Sequence, residues 1–305
     1  MSKILVTGSS GTIGTRLCER LLSLDYQVIG IDKVPNKWNK DVQDITIVRN
    51  LNDANCFNGI PKDISTVIHL AANARVYNSV VNPDIAKENI DITYNILEFC
   101  RKNNIKKFLF ASSREVYGDR SLSASEKDVE INNCESPYTA SKIAGEALVY
   151  AYKKCYDLNY IVFRFSNVYG MYDDTARLVP LWIYQAKRGE DLRIFGRDKT
   201  LDFTYIDDTI DGISMACDYL PKCETFNLTY GQGVKLSKIA EIIIKGTNST
   251  SNVVFENNRE GEITFFEGNN ALASDKLGFS PKTDVYEGLQ KSIKWYGENE
   301  GIVPI

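Results

Sequence analysis

The sequence predicts an α/β protein: a doubly wound parallel sheet, with a smaller mixed α/β lobe at its C-terminal end. Two observations carry this reading. From residue 3 to about residue 170, apolar runs of strand length alternate with stretches of helical periodicity, the pattern of parallel strands covered by helices on both faces. The first of these runs ends in a glycine-rich turn that leads into the first helical stretch, as the first βα junction of such a sheet does.

The elements follow in order. KILVTG reads as a buried strand, TRLCERLLSLD as an amphipathic helix and QVIGID as a second strand. After a polar loop, DITIVRN reads as a third strand and TVIHLAA as a fourth. PDIAKENIDITYNILEFCRKNN has helical periodicity, and KKFLFASS is a fifth strand. SPYTASKIAGEALVYAYKKC is a long helix, and NYIVFRFSNVYG a sixth strand. Beyond Gly170 the elements shorten and mix: a helix in ARLVPLWIYQAKRG, then short strands and helices through DLRIFG, LDFTYIDD, TFNLTYG, KLSKIAEIIIKG and NVVFE, and a final helix in VYEGLQKSIKWYGENE. The expected plan is a sheet domain over residues 1–170, a segment near 200–230 returning to it, and a lobe over residues 171–305. A ligand cleft is expected between them.

Composition narrows the function classes. A chain of 305 residues is long enough to bury about three-quarters of its unfolded surface. The net charge of −4 and the lack of a long basic run give no support for nucleic acid or an anionic membrane as partner. No apolar run reaches the roughly 18 residues of a membrane span, and the N-terminus lacks the features of a signal peptide. The seven cysteines are scattered, without a Cys-x-x-Cys pair, which fits a reducing cytoplasm. His69 is the only histidine. That rules out a histidine-rich metal site, disfavours a Ser-His-Asp triad, and leaves no metal expected. His69 itself, at a strand end, reads as structural.

Gly8, Gly11 and Gly14 form G-x-x-G-x-x-G between the first strand and the first helix. Glycine lets backbone turn tightly and approach a pyrophosphate, and the helix start offers free N–H groups and a partial positive charge. Three glycines alone fit an ordinary turn equally well. Asp32, ending the second strand, adds a carboxylate suited to ribose hydroxyls and adverse to a 2′-phosphate. NAD is therefore expected over NADP, although Lys33 beside Asp32 weakens that preference.

Tyr138 and Lys142 lie four residues apart in the long helix, on one face. A free tyrosine, with a pKa of about 10, is a poor base at neutral pH. A lysine ammonium one turn away, and a positive nicotinamide, would favour the phenolate. Tyr138 could then take a proton from a substrate hydroxyl while Ser113 bonds the same oxygen. Tyr-x-x-x-Lys is common on ordinary helices; its weight here comes from following the dinucleotide loop and a strand ending in Ser-Ser.

Taken in order, GSSGTIG, Asp32, HLAA (69–72), SSREVYG (112–118), YTASK and RFSNVYG (164–170) resemble the extended short-chain dehydrogenase/reductases. The resemblance is specifically to nucleotide-sugar epimerases and dehydratases of the UDP-glucose 4-epimerase type. It covers nearly the whole chain, including LDFTYIDD and the late REGE. It implies a Rossmann domain holding NAD, a C-terminal lobe binding a nucleoside diphosphate sugar, and Ser113, Tyr138 and Lys142 as the catalytic trio. On the cofactor it implies Gly8, Gly11, Thr12, Ile13, Asp32 and Lys33. It adds Asn50, Leu51, Leu70, Ala71, Ala72, Asn89 and Phe165, with Asn50 standing where an aspartate commonly meets the adenine. Asn167 would bond the sugar diphosphate, Arg193 and Phe195 would flank the base, and Arg259 would pair with a phosphate. Leu201 departs from the family, which commonly has a diphosphate-binding arginine there; Arg197 or Lys199 could stand in. The resemblance also implies a homodimer through IDITYNILEFCRK and SPYTASKIAGEALVYAYK.

Within that family all members first oxidise sugar C4, and Arg114-Glu115 bears on the step after that oxidation. A 4,6-dehydratase needs a base at C5 and an acid at C6. Glu115 could serve as base, but an arginine is a poor acid. A UDP-glucuronate decarboxylase typically carries Thr-Ser-Glu here, and an arginine bonded to the carboxylate would oppose loss of CO₂. An epimerase needs only the trio. The sequence thus favours a 4-epimerase of a UDP-hexose or UDP-hexuronate. A uronate is suggested by Arg114, with Arg75 or Arg177 assisting; an exposed or structurally paired Arg114 is an equal alternative. A keto-sugar reductase and a non-catalytic cofactor-sensing or RNA-binding relative stand further off.

Overall fold

In the computed structural model, which describes residues 2–53, 55–119, 123–219 and 223–304, seven strands form one all-parallel sheet. They are β1 (Lys3–Thr7), β2 (Gln27–Asp32), β3 (Thr46–Val48), β4 (Thr66–His69), β5 (Lys107–Ser113), β6 (Asn159–Phe165) and β10 (Glu224–Leu228). Their spatial order is β10-β6-β5-β4-β1-β2-β3. The chain starts in the middle, runs to the β3 edge, then returns to the other side of β1 and winds outward through β4, β5 and β6. The reversal leaves a crevice beyond the carboxyl ends of β1 and β4, where open α/β sheets bind ligands.

Strand alternation explains the core. Ile4, Val6, Ile68, Leu109, Ala111, Ile161 and Phe163 pack in one apolar cluster. Their chain neighbours Leu5, Val67, Phe108, Phe110 and Val162 pack in another, with Ile31. Successive side chains point to opposite faces, so strands apolar at every position supply two layers at once. Helices cover these layers: α1 (Thr12–Ser23), α2 (Lys40–Ile45), α3 (Val76–Val81), α4 (Asp84–Lys102), α5 (Pro137–Tyr156) and α7 (Ile206–Asp218). The remaining elements are α6 (Leu178–Lys187), α8 (Leu236–Gly246), α9 (Ala271–Leu277) and α10 (Val285–Glu298), with strands β7 (Asn167–Tyr169), β8 (Leu192–Phe195), β9 (Thr200–Tyr205), β11 (Gly233–Lys235) and β12 (Val253–Glu256).

Several boundaries differ from the sequence reading. NYIVFRFSNVYG is two strands: β6 ends at Phe165, and β7 pairs with β9 in a three-stranded sheet β11-β9-β7. Ser166 is the junction; its hydroxyl bonds the Thr204 hydroxyl on β9 at 2.6 Å. DITIVRN is a strand only from Thr46, because Asn39 caps a short helix over Lys40–Ile45. LDFTYIDD splits at Tyr205, and Ile206 opens α7. TFNLTYG supplies β10, which pairs in parallel with β6 as the last strand of the main sheet. The short helices α2, α3 and α9 have six or seven residues, less than two turns, too few for a 3.6-residue pattern to register.

His69 ends β4 fully buried, its Nδ1 2.7 Å from the Thr7 hydroxyl and its Nε2 3.2 Å from the Thr93 hydroxyl. This is the structural role expected from the sequence. Burial, with the nearby Lys142 charge, pushes its pKa down to about 3. The folded state holds a neutral ring while an unfolded histidine protonates below pH 6.5, so stability present above 6.5 is lost as pH falls toward 3. The expected loss from this residue is about 2 kcal/mol at pH 5. Ring resonances of the single histidine are expected not to titrate between pH 8 and 5. An NMR titration with a midpoint near 6.5 would contradict this.

Candidate active site

The glycine loop is shaped by steric need. Gly8 has φ +77°, and a Cβ there would come within 2.8 Å of the Ala71 amide nitrogen. A Cβ on Gly14 would sit 1.9 Å from the Gly8 carbonyl oxygen. Gly11 precedes α1 with no side chain capping the helix start, so the first-turn N–H groups are open to a ligand in the cleft that Gly11, Thr12 and Ile13 line. The Asp32 carboxylate accepts from the backbone N–H of Ser10 at 2.9 Å and of Val34 at 3.1 Å, which pins it beside the loop. An open helix start with a carboxylate next to it suits the diphosphate and ribose of a dinucleotide.

β5 ends at Ser113, whose hydroxyl accepts from the Glu115 N–H at 3.3 Å and turns the chain into a short 3₁₀ helix over Arg114–Tyr117. α5 starts at a Ser136 cap with Pro137 in its first turn, a strong helix start. That start places Tyr138, whose backbone N–H donates to Ser79 Oγ at 3.0 Å and whose side chain lines the same cleft as Ser113. One turn on, Lys142 Nζ donates to the Ala111 carbonyl at 2.8 Å and lies 5.8 Å from the Tyr138 ring centre. Both side chains are buried.

Burial dominates the electrostatics. It pushes Tyr138 up to about 12, with Glu115 adding to the rise and Ser113, Arg177 and Arg114 opposing it. Lys142 is pushed down to about 8, opposed by Glu146. In the protein chain itself burial outweighs the neighbouring cations at Tyr138. The ammonium is held by a backbone carbonyl, and burial keeps the phenol protonated.

Residues 4–229 match the model of the NAD dependent epimerase/dehydratase family. This chain belongs to that family. It is 30% identical to the UDP-glucuronate 4-epimerase of Thermodesulfobacterium geofontis, over 98% of this chain and 97% of that one. Its fold is similar to that of a UDP-glucose 4-epimerase of Thermotoga maritima solved with UDP-glucose, at TM-score 0.90 and 27% identity, covering 98% and 99% of the two chains. It is equally similar to a UDP-glucuronic acid 4-epimerase of Bacillus cereus solved with UDP-glucuronic acid and NAD, at TM-score 0.89 and 28% identity, covering 97% and 99%.

For an epimerase/dehydratase family member, the cleft gathers most of the expected residues. Its volume is about 880 Å³. Gly8, Leu70, Ala72 and Phe165 line it with the trio, and Arg75, Arg114, Glu115, Asn167, Arg177, Arg193, Phe195 and Arg259 line the rest. Six expected cofactor residues are not on its wall. Asp32 and Ala71 brace the glycine loop. Lys33 is exposed, and the Asn50 side chain accepts from the Asn52 N–H at 3.0 Å. Leu51 packs in the core. Asn89 is buried and clamps Asn73, accepting its N–H at 2.8 Å and donating to its carbonyl at 3.1 Å. Of the two candidate stand-ins for an arginine at Leu201, Lys199 reaches the cleft but is bonded to Glu262 at 2.8 Å. Arg197 instead stacks on Phe255, 4.2 Å from its ring centre. The Arg259 guanidinium lies 3.7 Å from the Phe195 ring centre, and Arg193 is paired with Glu256 at 2.6 Å.

Sequence reasoning missed the buried support. Arg164 on β6 makes a two-pronged bond to Glu146 on α5, at 2.9 and 2.7 Å. Ser112 donates to Glu146 Oε1 at 2.6 Å, and Arg164 also donates to the Tyr117 hydroxyl at 3.1 Å. Tyr117 donates in turn to Asn227 Oδ1 at 2.6 Å. A signal exists in the sequence: Tyr138, Lys142, Glu146 and Tyr150 continue one four-residue register along α5. Glu146→Ala, which strands the buried Arg164 charge, is expected to cost about 3–5 kcal/mol in denaturant melts. The double change Glu146→Leu with Arg164→Met is expected to recover most of that loss. Equal destabilisation of the single and double variants would show that the pair has another role.

Proposed function

We propose that this protein is an NAD-dependent nucleotide-sugar 4-epimerase acting on a UDP-hexose or UDP-hexuronate. The observation that carries the reading is that Ser113, Tyr138 and Lys142 line one cleft together with the glycine loop. Gly8, Gly11, Thr12 and Ile13 would hold the NAD diphosphate, with Asp32 toward the adenosine ribose. NAD supplies the acceptor, and later the donor, of the C4 hydride, together with a positive charge that offsets the effect of burial on the phenol. Tyr138 then takes the proton of the sugar C4 hydroxyl and returns it at the end of the cycle. Ser113 bonds the same sugar oxygen and orients it. Lys142, cationic below about pH 8, favours the ionised Tyr138. Inversion results when the 4-keto sugar turns over before hydride returns.

The sheet body, residues 1–170 with the stretch 200–230, would serve the cofactor, and residues 171–305 the nucleotide sugar, with Asn167, Arg193, Phe195 and Arg259 on the nucleotide side. Dehydration is not favoured, because Glu115 is ion-paired with Arg114 at 3.0 Å and a guanidinium is no proton donor at neutral pH. A homodimer through α4 and α5 is supported by the exposed Tyr94 and Tyr156 on those helices, each 49% accessible. A cytoplasmic setting is supported by seven free cysteines.

Incubation with UDP-sugars in the absence of added cofactor, read by product NMR, is expected to give C4-inverted sugar. A 4-keto-6-deoxy product or a pentose would overturn the reading. Tyr138→Phe is expected to lose roughly 10²–10⁴ in turnover while the protein still carries NAD; full activity in that variant would remove the phenol from the mechanism. Light scattering is expected to give twice the 34.4 kDa chain mass, and a monomer would refute the dimer.

A further inference from the structure

The strongest unexplained feature lies immediately after Ser113. Arg114 and Glu115 line the cleft yet are 9% and 4% accessible. Arg114 Nη2 is used twice, on Glu115 Oε1 at 3.0 Å and on Asn167 Oδ1 at 3.2 Å. Among the described residues, Arg114 Nη1 and Glu115 Oε2 have no hydrogen-bond partner although both atoms are buried. Orphaned buried polar atoms are costly, and two adjacent ones of opposite kind, in a cleft beside a reactive hydroxyl, call for a ligand group that serves both.

We infer that Arg114 and Glu115 form a charge-compensated donor–acceptor pair that reads a neutral sugar hydroxyl near the reacting carbon and disfavours a carboxylate there. The inference rests on the 4-epimerase reading and deepens it. A hydroxyl both accepts and donates, so it satisfies Nη1 and Oε2 together. A carboxylate only accepts. It would satisfy Nη1 and leave Oε2 facing a like charge. The wider surroundings point the same way: Glu115 is influenced by the cations Arg114 and Lys199 and by two further carboxylates, Glu262 and Asp119. Lys199 is itself bonded to Glu262. The uronate role suggested by Arg114 in the sequence thus gives way to its opposite, because the positive charge is already matched within the pair.

Glu115→Gln tests this. Glutamine keeps an acceptor, adds donors and leaves Arg114 uncompensated, so it suits a carboxylate. Binding of UDP-glucose and UDP-glucuronate to the NAD-loaded protein is measured by calorimetry, alongside turnover of each. The wild type is expected to bind UDP-glucose more tightly by about tenfold, the scale of one charged contact, and Glu115→Gln to shrink that ratio by about tenfold. Arg75 and Arg177 share the cleft, so the change between wild type and variant isolates the pair from them. A ratio unchanged within about twofold, or a wild type that binds UDP-glucuronate as tightly as UDP-glucose, overturns the inference; the second reading needs no variant, should Glu115→Gln fail to fold. Inverted UDP-glucose with an unchanged ratio sinks the pair's role and leaves the epimerase reading standing. No binding of either sugar sinks both.

Discussion

The buried Glu146–Arg164 pair is the constraint from which the reactive geometry derives. Ser112, Arg164 and Asn227 stand side by side on β5, β6 and β10, in register as cross-strand partners. Glu146 descends onto this row from α5, and Tyr117 joins it from the turn after Ser113. Asn227 extends the chain of bonds to the carbonyls of Ala124 and Asn269. Two charges are taken out of water to make this connection. Such a pair adds little net stability over an apolar filling; its effect is to permit one arrangement and penalise others. Here that arrangement fixes how far along β5 the helix α5 sits. Tyr138 and Lys142 are two turns and one turn before Glu146, so the same register sets where their side chains meet Ser113 and the Ala111 carbonyl.

The glycine loop imposes a second, independent constraint. At Gly14 any side chain would collide with the Gly8 carbonyl, and at Gly8 it would meet the Ala71 backbone. These are contacts between backbones, which cannot give way as a flexible side chain can. The packing of α1 against the ends of β1 and β4 is therefore very close, and the uncapped helix start faces the same crevice as the Ser113 and Tyr138 side chains. One end of the sheet thus presents amide donors for an anion and a hydroxyl pair for chemistry. That combination separates this crevice from an ordinary interdomain gap.

How much of this is legible in the sequence depends on range. Both apolar layers are readable, because KILVT and KFLFASS are nearly unbroken apolar runs, as strands buried on both faces are. The trio is readable because Tyr138 and Lys142 are four residues apart and Ser113 ends a strand. What cannot be read is long-range. The break at Ser166 is made by β9, some 35 residues on, which draws Asn167–Tyr169 out of the main sheet. The clamp that Asn89 places on Asn73, and the pairing of Lys199 with Glu262, likewise depend on segments brought together only by folding. The direction of the Tyr138 shift is hidden for the same reason. Helix spacing reveals Lys142, but not the Ala111 carbonyl that holds its ammonium, nor the burial that raises the phenol.

Burial and charge matching together suggest why chemistry at this site would stop at inversion. A low-dielectric cleft strengthens every dipole aimed at the sugar oxygen, as a reversible oxidation requires. The same burial would make a loose acid or base hazardous to a 4-keto sugar, whose C5 proton is acidic. Glu115 is the carboxylate nearest in sequence to Ser113, and Arg114 holds one of its oxygens at 3.0 Å. Burial raises the Glu115 pKa while the guanidinium lowers it, and abstraction of a proton at C5 would discharge half of a buried ion pair. Breaking such a pair is expensive even where forming it is nearly neutral. The pair beside Ser113 thus reads as a restraint on side reactions at the 4-keto stage.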